Sequence, residues 1–333
     1  MKKLFIAVLS MATLASCFQS EFAVDQAIDF NTYVGSTTKA IDPSITTATI
    51  NEFYVWGTTQ QNITGAPIVP IFVQEPVTGS TTTSWSYDPN NIKYWIAGNK
   101  YNFAAVVNGE VDNNTDLVDG LPQTISYTAG TDLELLYADA KNIVAKASGN
   151  EKVGFTFEHL LSKAVFTFKN TTPANTNGAP ANIYKVTDIK ISGLDAAAVY
   201  DVESGWKQNT NADLNVEFGN IVASTESDKN NTDAIVVVEQ GVGKSLYEHL
   251  LIPGTHNVTI TCNIVLYNDV ADADHVVKTI PYSNTLSITL EKGKAYNFAL
   301  SAGLTETIDF KVNTVNTWLP GGNLLFTPLG RGL

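Results

Sequence analysis

The sequence predicts an all-β protein of sandwiches or barrels, long enough for two domains behind an N-terminal leader. Three observations carry this expectation. Apolar and polar residues alternate in many short runs, each bounded by Gly, Pro, Asn or Asp, as strands of sandwiches or barrels require. Hydrophobic residues make up 44% of the 333 positions, so the chain can fill its cores although it has only 2 cysteines. Helical spacing is confined to one stretch, 132–146, where Leu133, Leu136, Ala140, Ile143 and Val144 predict a short helix.

The elements follow in chain order. Lys2 and Lys3 precede an apolar run from Leu4 to Leu14, and Leu14-Ala15-Ser16-Cys17 closes it with small residues before a cysteine. The run is too short to span a bilayer, and its order of charge, apolar stretch and small residues is that of a secretory signal. The cysteine at the cut resembles a bacterial lipobox, in which the peptide is removed and Cys17 becomes a lipidated first residue. Residues 1–16 are thus expected to be lost, leaving 317 residues, enough for two domains, and a formal charge that moves from −13 to −15. So acidic a surface repels nucleic acid and anionic lipid, so no nucleic-acid partner is expected.

A first strand is expected over 28–34, followed by 46–58, 101–107, 153–157, 164–168, 183–191, 234–238, 258–266, 286–290, 295–300 and 308–312. Between them, 79–84, 108–120, 171–182 and 224–232 read as loops rich in Asn, Thr and Gly. The segment 171–182 fits either a linker or a long hairpin loop. The division into domains 17–150 and 151–333 is placed after the helical piece. Ile28-Asp29-Phe30 near the start is echoed by Ile308-Asp309-Phe310 near the end, as if two terminal strands filled equivalent places in similar domains.

Motifs for chemistry are incomplete. Gly241-Val242-Gly243-Lys244-Ser245 ends like a phosphate loop, but Val238 stands where its first glycine belongs. Ser36-Thr37-Thr38-Lys39 and Ser204-Gly205-Trp206-Lys207 fit S-x-x-K without the companion motifs of acylating enzymes. Asp112, Asn114 and Asp116 begin like a calcium loop, yet Leu117 and Gln123 occupy the positions that need glycine and glutamate. Asp269, Asp272 and Asp274 read as a solvated turn. His159, His249, His256 and His275 lack zinc-site spacing, and Cys262 reads as a small buried side chain. No enzyme, cofactor or metal is expected. Trp85 and Trp95 flank a loop with Tyr87 and Tyr94, which makes them candidate glycan contacts, although core aromatics would look the same.

Several pieces taken together resemble the fimbrillin family, the lipoprotein pilin precursors of Bacteroides-type bacteria. They are the lipobox, Ile28-Asp29-Phe30, Thr38-Lys39-Ala40 and Phe53-Tyr54-Val55-Trp56-Gly57. Further along come Phe155-Thr156-Phe157-Glu158-His159-Leu160-Leu161-Ser162-Lys163, a strand near 186–194, and Gly293-Lys294-Ala295-Tyr296-Asn297-Phe298, leading to Ile308-Asp309-Phe310 and Trp318. The resemblance implies two transthyretin-like β-sandwich domains in a lipoprotein of the outer membrane, exposed in a fimbrium. It also implies other pilin subunits as partners, outer-membrane lipid through Cys17, and a ligand on a host or bacterial surface. In polymerising members a protease cuts after a basic residue that follows the first strand, which leaves, and a neighbour's C-terminal segment fills the groove. Here the removable segment is 24–39, with Ile28, Phe30 and Val34 facing inward, and the cut falls between Lys39 and Ala40. The family usually has arginine at that point. The donor is the tail 319–333, with Leu325, Thr327, Leu329 and Leu333 on one alternating face. A monomeric surface lipoprotein that binds glycan or host protein is the alternative reading.

Overall fold

A computed structural model describes residues 23–34, 50–80, 84–129, 133–170, 183–207, 213–221, 235–237, 239–240, 244–245, 248–267, 276–302 and 308–317. The first strands are β1 (Ala23–Ala27), β2 (Phe30–Val34), β3 (Glu52–Gln60), β4 (Ile68–Thr78), β5 (Tyr94–Ile96) and β6 (Lys100–Val107). There follow β7 (Leu117–Val118), β8 (Leu121–Pro122), β9 (Thr124–Thr128), β10 (Leu136–Val144) and β11 (Val153–His159). A single 3-10 turn, Pro89–Asn91, is capped by the Asp88 side chain.

Six of these strands form one sheet in the order β2-β11-β10-β6-β3-β4. The sheet folds over itself at β10 and β11, which pair only at Leu136↔His159 and Tyr137↔Glu158 before diverging. As a result Phe30 of β2, at one edge, meets Phe72 of β4, at the other, with ring centroids 5.6 Å apart. Phe53, Val55, Tyr101, Phe103, Phe155 and Phe157 fill the space between the two layers. Alternation explains the filling, since β11 buries every second residue from Val153 to His159.

Residues 133–146 do not form the expected helix. Residues 136–144 are β10, paired with β6 from Leu136↔Val107 to Val144↔Lys100. The register shifts between Ala140 and Ile143, where Asn142 takes a positive φ of 61°. An extra residue at such a bulge breaks the two-residue period and leaves apolar positions spaced as on a helix. β11 belongs to the first sheet, and the sheets of the second half begin after His159.

The second half contains β12 (Ser162–Asn170), β13 (Ile183–Asp195), β14 (Ala197–Asp201), β15 (Gly205–Lys207), β16 (Asp213–Ile221) and β17 (Ile235–Val237). Next are β18 (Glu239–Gln240), β19 (Lys244–Ser245), β20 (Glu248–Leu251), β21 (Gly254–Tyr267), β22 (Val276–Leu290), β23 (Lys294–Ala302) and β24 (Ile308–Thr317). One sheet runs β17-β12-β23-β24, with β20 also on β12, and a second runs β16-β13-β21-β22. Between them Phe166, Phe298, Leu300 and Phe310 pack with Val186, Ile191, Val258, Ile260 and Ile264. β12 and β13 lie in different sheets; the segment 171–182 between them lies outside the described residues. The echoed strands β2 and β24 each bring a buried phenylalanine to a sheet edge. They are not equivalent, since β2 runs parallel to β11 whereas β24 runs antiparallel to β23.

A third core lies between these two. Trp56, Ala104, Val106, Ile125, Tyr127 and Tyr137 from the first half meet Leu160, Leu161, Ala198, Tyr200 and Ile252 from the second. A small sheet, β15-β14-β9, crosses the same seam, with Ala197↔Thr128 through Asp201↔Thr124 in register.

Candidate functional site at the first strand

The segment from Ala23 to Val34 is held by two different partners. β1 pairs antiparallel with β5 (Ala23↔Ile96, Ala27↔Tyr94), and β2 pairs parallel with β11 (Phe30↔Val153 to Val34↔Phe157). At the step between them, Ile28 N–H donates to the Lys93 carbonyl at 2.8 Å, and Tyr87 O–H donates to the Ile28 carbonyl at 2.9 Å. Among the described residues β2 has one strand neighbour, so its other backbone edge is unpaired within the sheet.

The side chains alternate as the sequence predicts. Ile28 is 0% exposed, Phe30 2% and Thr32 1%, whereas Asp29 faces solvent beside Lys152 at 3.9 Å. Phe30 sits in an aromatic box, stacked on Phe155 at 5.7 Å and edge-on to Phe72, Tyr87 and Phe103. Gly57 on β3 makes room for the box, because a Cβ there would lie 2.8 Å from the Phe103 ring and 3.0 Å from that of Phe72. The site therefore consists of a nearly enclosed aromatic trough closed by a short strand with its own chain connection. Nothing in that geometry is chemically reactive; what it can do is hold or release an apolar strand. The Val34 side chain, Cys17, Lys39, Ala40, Leu325, Thr327, Leu329 and Leu333 lie outside the described residues.

Trp85 and Trp95 are corrected as glycan contacts. They are 6% and 1% exposed, Trp85 against Phe53 at 4.9 Å and Trp95 against Tyr101 at 4.7 Å, so neither offers a face to a sugar. Cys262 is 4% exposed, and burial pushes its thiol up to about 12, far from the thiolate a nucleophile needs. The Asp112 carboxylate accepts Asn114 N–H at 2.8 Å, and Asp116 accepts Asp112 N–H and Thr124 O–H, so these oxygens serve the turn itself. Among the described residues no three His, Cys, Asp or Glu gather as a metal group. Residues 241–243 and the acidic cluster at 269–274 lie outside the described residues.

Sequence reasoning missed one buried polar cluster. His159 Nδ1 hydrogen-bonds Glu134 Oε1, and both residues are almost fully buried, as is Lys163 nearby. Burial, helped by the Lys163 ammonium, pushes the imidazole down to about 4. Glu134 and His159 are 25 residues apart and show no local motif, so only their shared burial reveals the pair.

These features define a class: an all-β protein whose distinctive site, among the described residues, is a strand-filled apolar trough. A fimbrillin-like family model matches residues 38–318, and the chain belongs to that family, one of structural and adhesion proteins and not of enzymes. A fimbrial protein of Bacteroides vulgatus shares the fold at 15% identity and TM-score 0.58, covering 88% of this chain and 99% of its own. A candidate cell adhesion protein of Bacteroides ovatus does so at 16% identity and TM-score 0.54, covering 89% of this chain and 98% of its own. No curated protein matches the chain.

Proposed function

We propose that this chain is a fimbrial subunit, exported as an outer-membrane lipoprotein through Cys17, that polymerises by protease-triggered strand exchange and serves adhesion at the cell surface. The observation that supports the exchange best is the burial of Ile28 and Phe30, at the entry to and on a strand that has a single sheet neighbour among the described residues. Burying a large apolar side chain is worth roughly 1.5–3 kcal/mol, so these two residues alone contribute about 3–6 kcal/mol. A domain is stable by only about 5–15 kcal/mol. Cleavage between Lys39 and Ala40 frees the segment that carries them, and what remains is an open trough with a bare backbone edge. An extended segment from another copy satisfies both needs at once. Leu325, Thr327, Leu329 and Leu333 supply the alternating face for it, and Pro328 between them suits an added edge strand that needs no N–H there.

The test is limited proteolysis of the purified mature protein with trypsin, which accepts lysine. A ladder of species that survive mild denaturant is the expected result, with Ala40 as the new N-terminus. A confirmed cut after Lys39 that yields only monomer rejects the exchange.

A further inference from the structure

Residues Ser204, Gly205 and Trp206 of the stretch Ser204-Gly205-Trp206-Lys207, which leads to no acylation chemistry, line a cleft of the second half. The lysine of that stretch is committed to structure: Lys207 Nζ donates to Asp201 Oδ2 at 2.8 Å. Asp201 Oδ1 accepts Glu203 N–H at 3.0 Å and Ser204 N–H at 2.9 Å, which fixes the turn between β14 and β15. Trp206 is fixed as well. Its indole N–H donates to the Leu160 carbonyl at 2.7 Å, and its ring stands edge-on to Tyr200 at 5.4 Å. Unlike Trp85 and Trp95, Trp206 is only half-buried, although its ring also stands edge-on to Tyr127 at 6.4 Å.

Tyr200, Glu203, Ser204, Trp206, Thr255 and Lys292 line an open cleft of about 580 Å³ here. That volume lies within the roughly 300–1,000 Å³ range of small-molecule sites. The charges restrict the ligand. Lys292 is the one cation among the lining residues, and its ammonium is already bonded to Glu158 Oε2 at 3.0 Å and Tyr200 Oη at 3.2 Å. The Glu203 carboxylate then leaves the cleft acidic, which disfavours an anion. What remains is a fixed indole beside a carboxylate acceptor and two hydroxyls, that of Thr255 shared with Thr289 at 3.2 Å and that of Ser204 with the Asp201 carboxylate, each with acceptor capacity left.

We propose that this cleft binds a neutral oligosaccharide, one sugar ring resting on the open part of Trp206 and its hydroxyls bonding Glu203, Ser204 and Thr255. The pinned hairpin lowers the ordering cost of such a complex. The cleft lies on one uncut chain, so the inference stands or falls independently of strand exchange.

Calorimetric titration of the intact mature protein with short neutral manno-, xylo-, gluco- and N-acetylglucosamine oligomers tests it, with uronic-acid oligomers as the anionic arm. At least one neutral series binds, and Trp206→Ala weakens it about tenfold or more. Should Trp206→Ala fail to fold, Glu203→Gln on the exposed turn decides, with an expected loss of about threefold to tenfold. Absence of binding at millimolar neutral sugar, binding confined to the uronic acids, or wild-type affinity in folded Glu203→Gln overturns the proposal.

Discussion

His159 carries no surface on which to accept a proton, and that has a measurable consequence. Its imidazole is neutral in the folded protein down to about pH 4, whereas in the unfolded chain it titrates near its ordinary 6.5. Between those values the unfolded chain binds more protons, so acid favours unfolding. This contribution to stability is complete above about pH 6.5 and is lost progressively as the pH falls toward 4. Urea midpoints are therefore expected to drop across that window, and a His159→Gln variant is expected to flatten the drop. Identical pH profiles for the two proteins would show that the residue is not responsible. The legibility of single residues follows the same logic of burial. Ile28 and Phe30 are readable because alternation alone assigns their face. Trp85, Trp95 and Trp206 are not, because an indole in the sequence looks the same whether a core or a cleft receives it.

At the scale of the element, β2 is the piece on which the proposed exchange turns. It contributes Phe30 to the aromatic box, and Ile28 just ahead of it enters the same core, yet among the described residues β2 is held by one strand, β11. A chain beginning at Ala40 is accordingly expected to capture a synthetic peptide copying residues 23–34, with strand geometry fixed by β11. Placing aspartate at the peptide's Phe30 position should weaken capture by about tenfold or more, since a charge would enter the trough of Phe72, Phe103 and Phe155. Fluorescence anisotropy of a labelled peptide reads this directly, and equal affinity of the two peptides would mean that the trough collapses once vacated.

Elements with a clean two-residue period, such as β11 and β21, are legible in the sequence. Two others hide for physical reasons. The bulge at Asn142 disguises β10 as a helix. Pro70 and Pro76 disguise β4, which can hold them because it is an edge strand and has no second ladder to feed.

The whole molecule is organised by its seam. Ile125 and Tyr127 on β9 pack with Ala198 and Tyr200 on β14, while the two strands share backbone hydrogen bonds. Strand pairing between segments so far apart in the chain has no local signature, which is why a simple division near 150 is what the sequence suggests. A core drawn from both halves makes the unfolding of one half expose apolar surface on the other, so the halves should unfold together. Ile125, fully buried there, is the lever. Ile125→Ala removes methylenes from the shared core at a cost of about 2–5 kcal/mol. Differential scanning calorimetry is expected to give one transition for the unaltered protein and a lower, broadened or split one for the variant. Two resolved transitions in the unaltered protein would mean that the seam carries little coupling. In that case the middle core would be a contact between independent halves, and opening the first-strand trough could not be felt beyond the sheet that contains it.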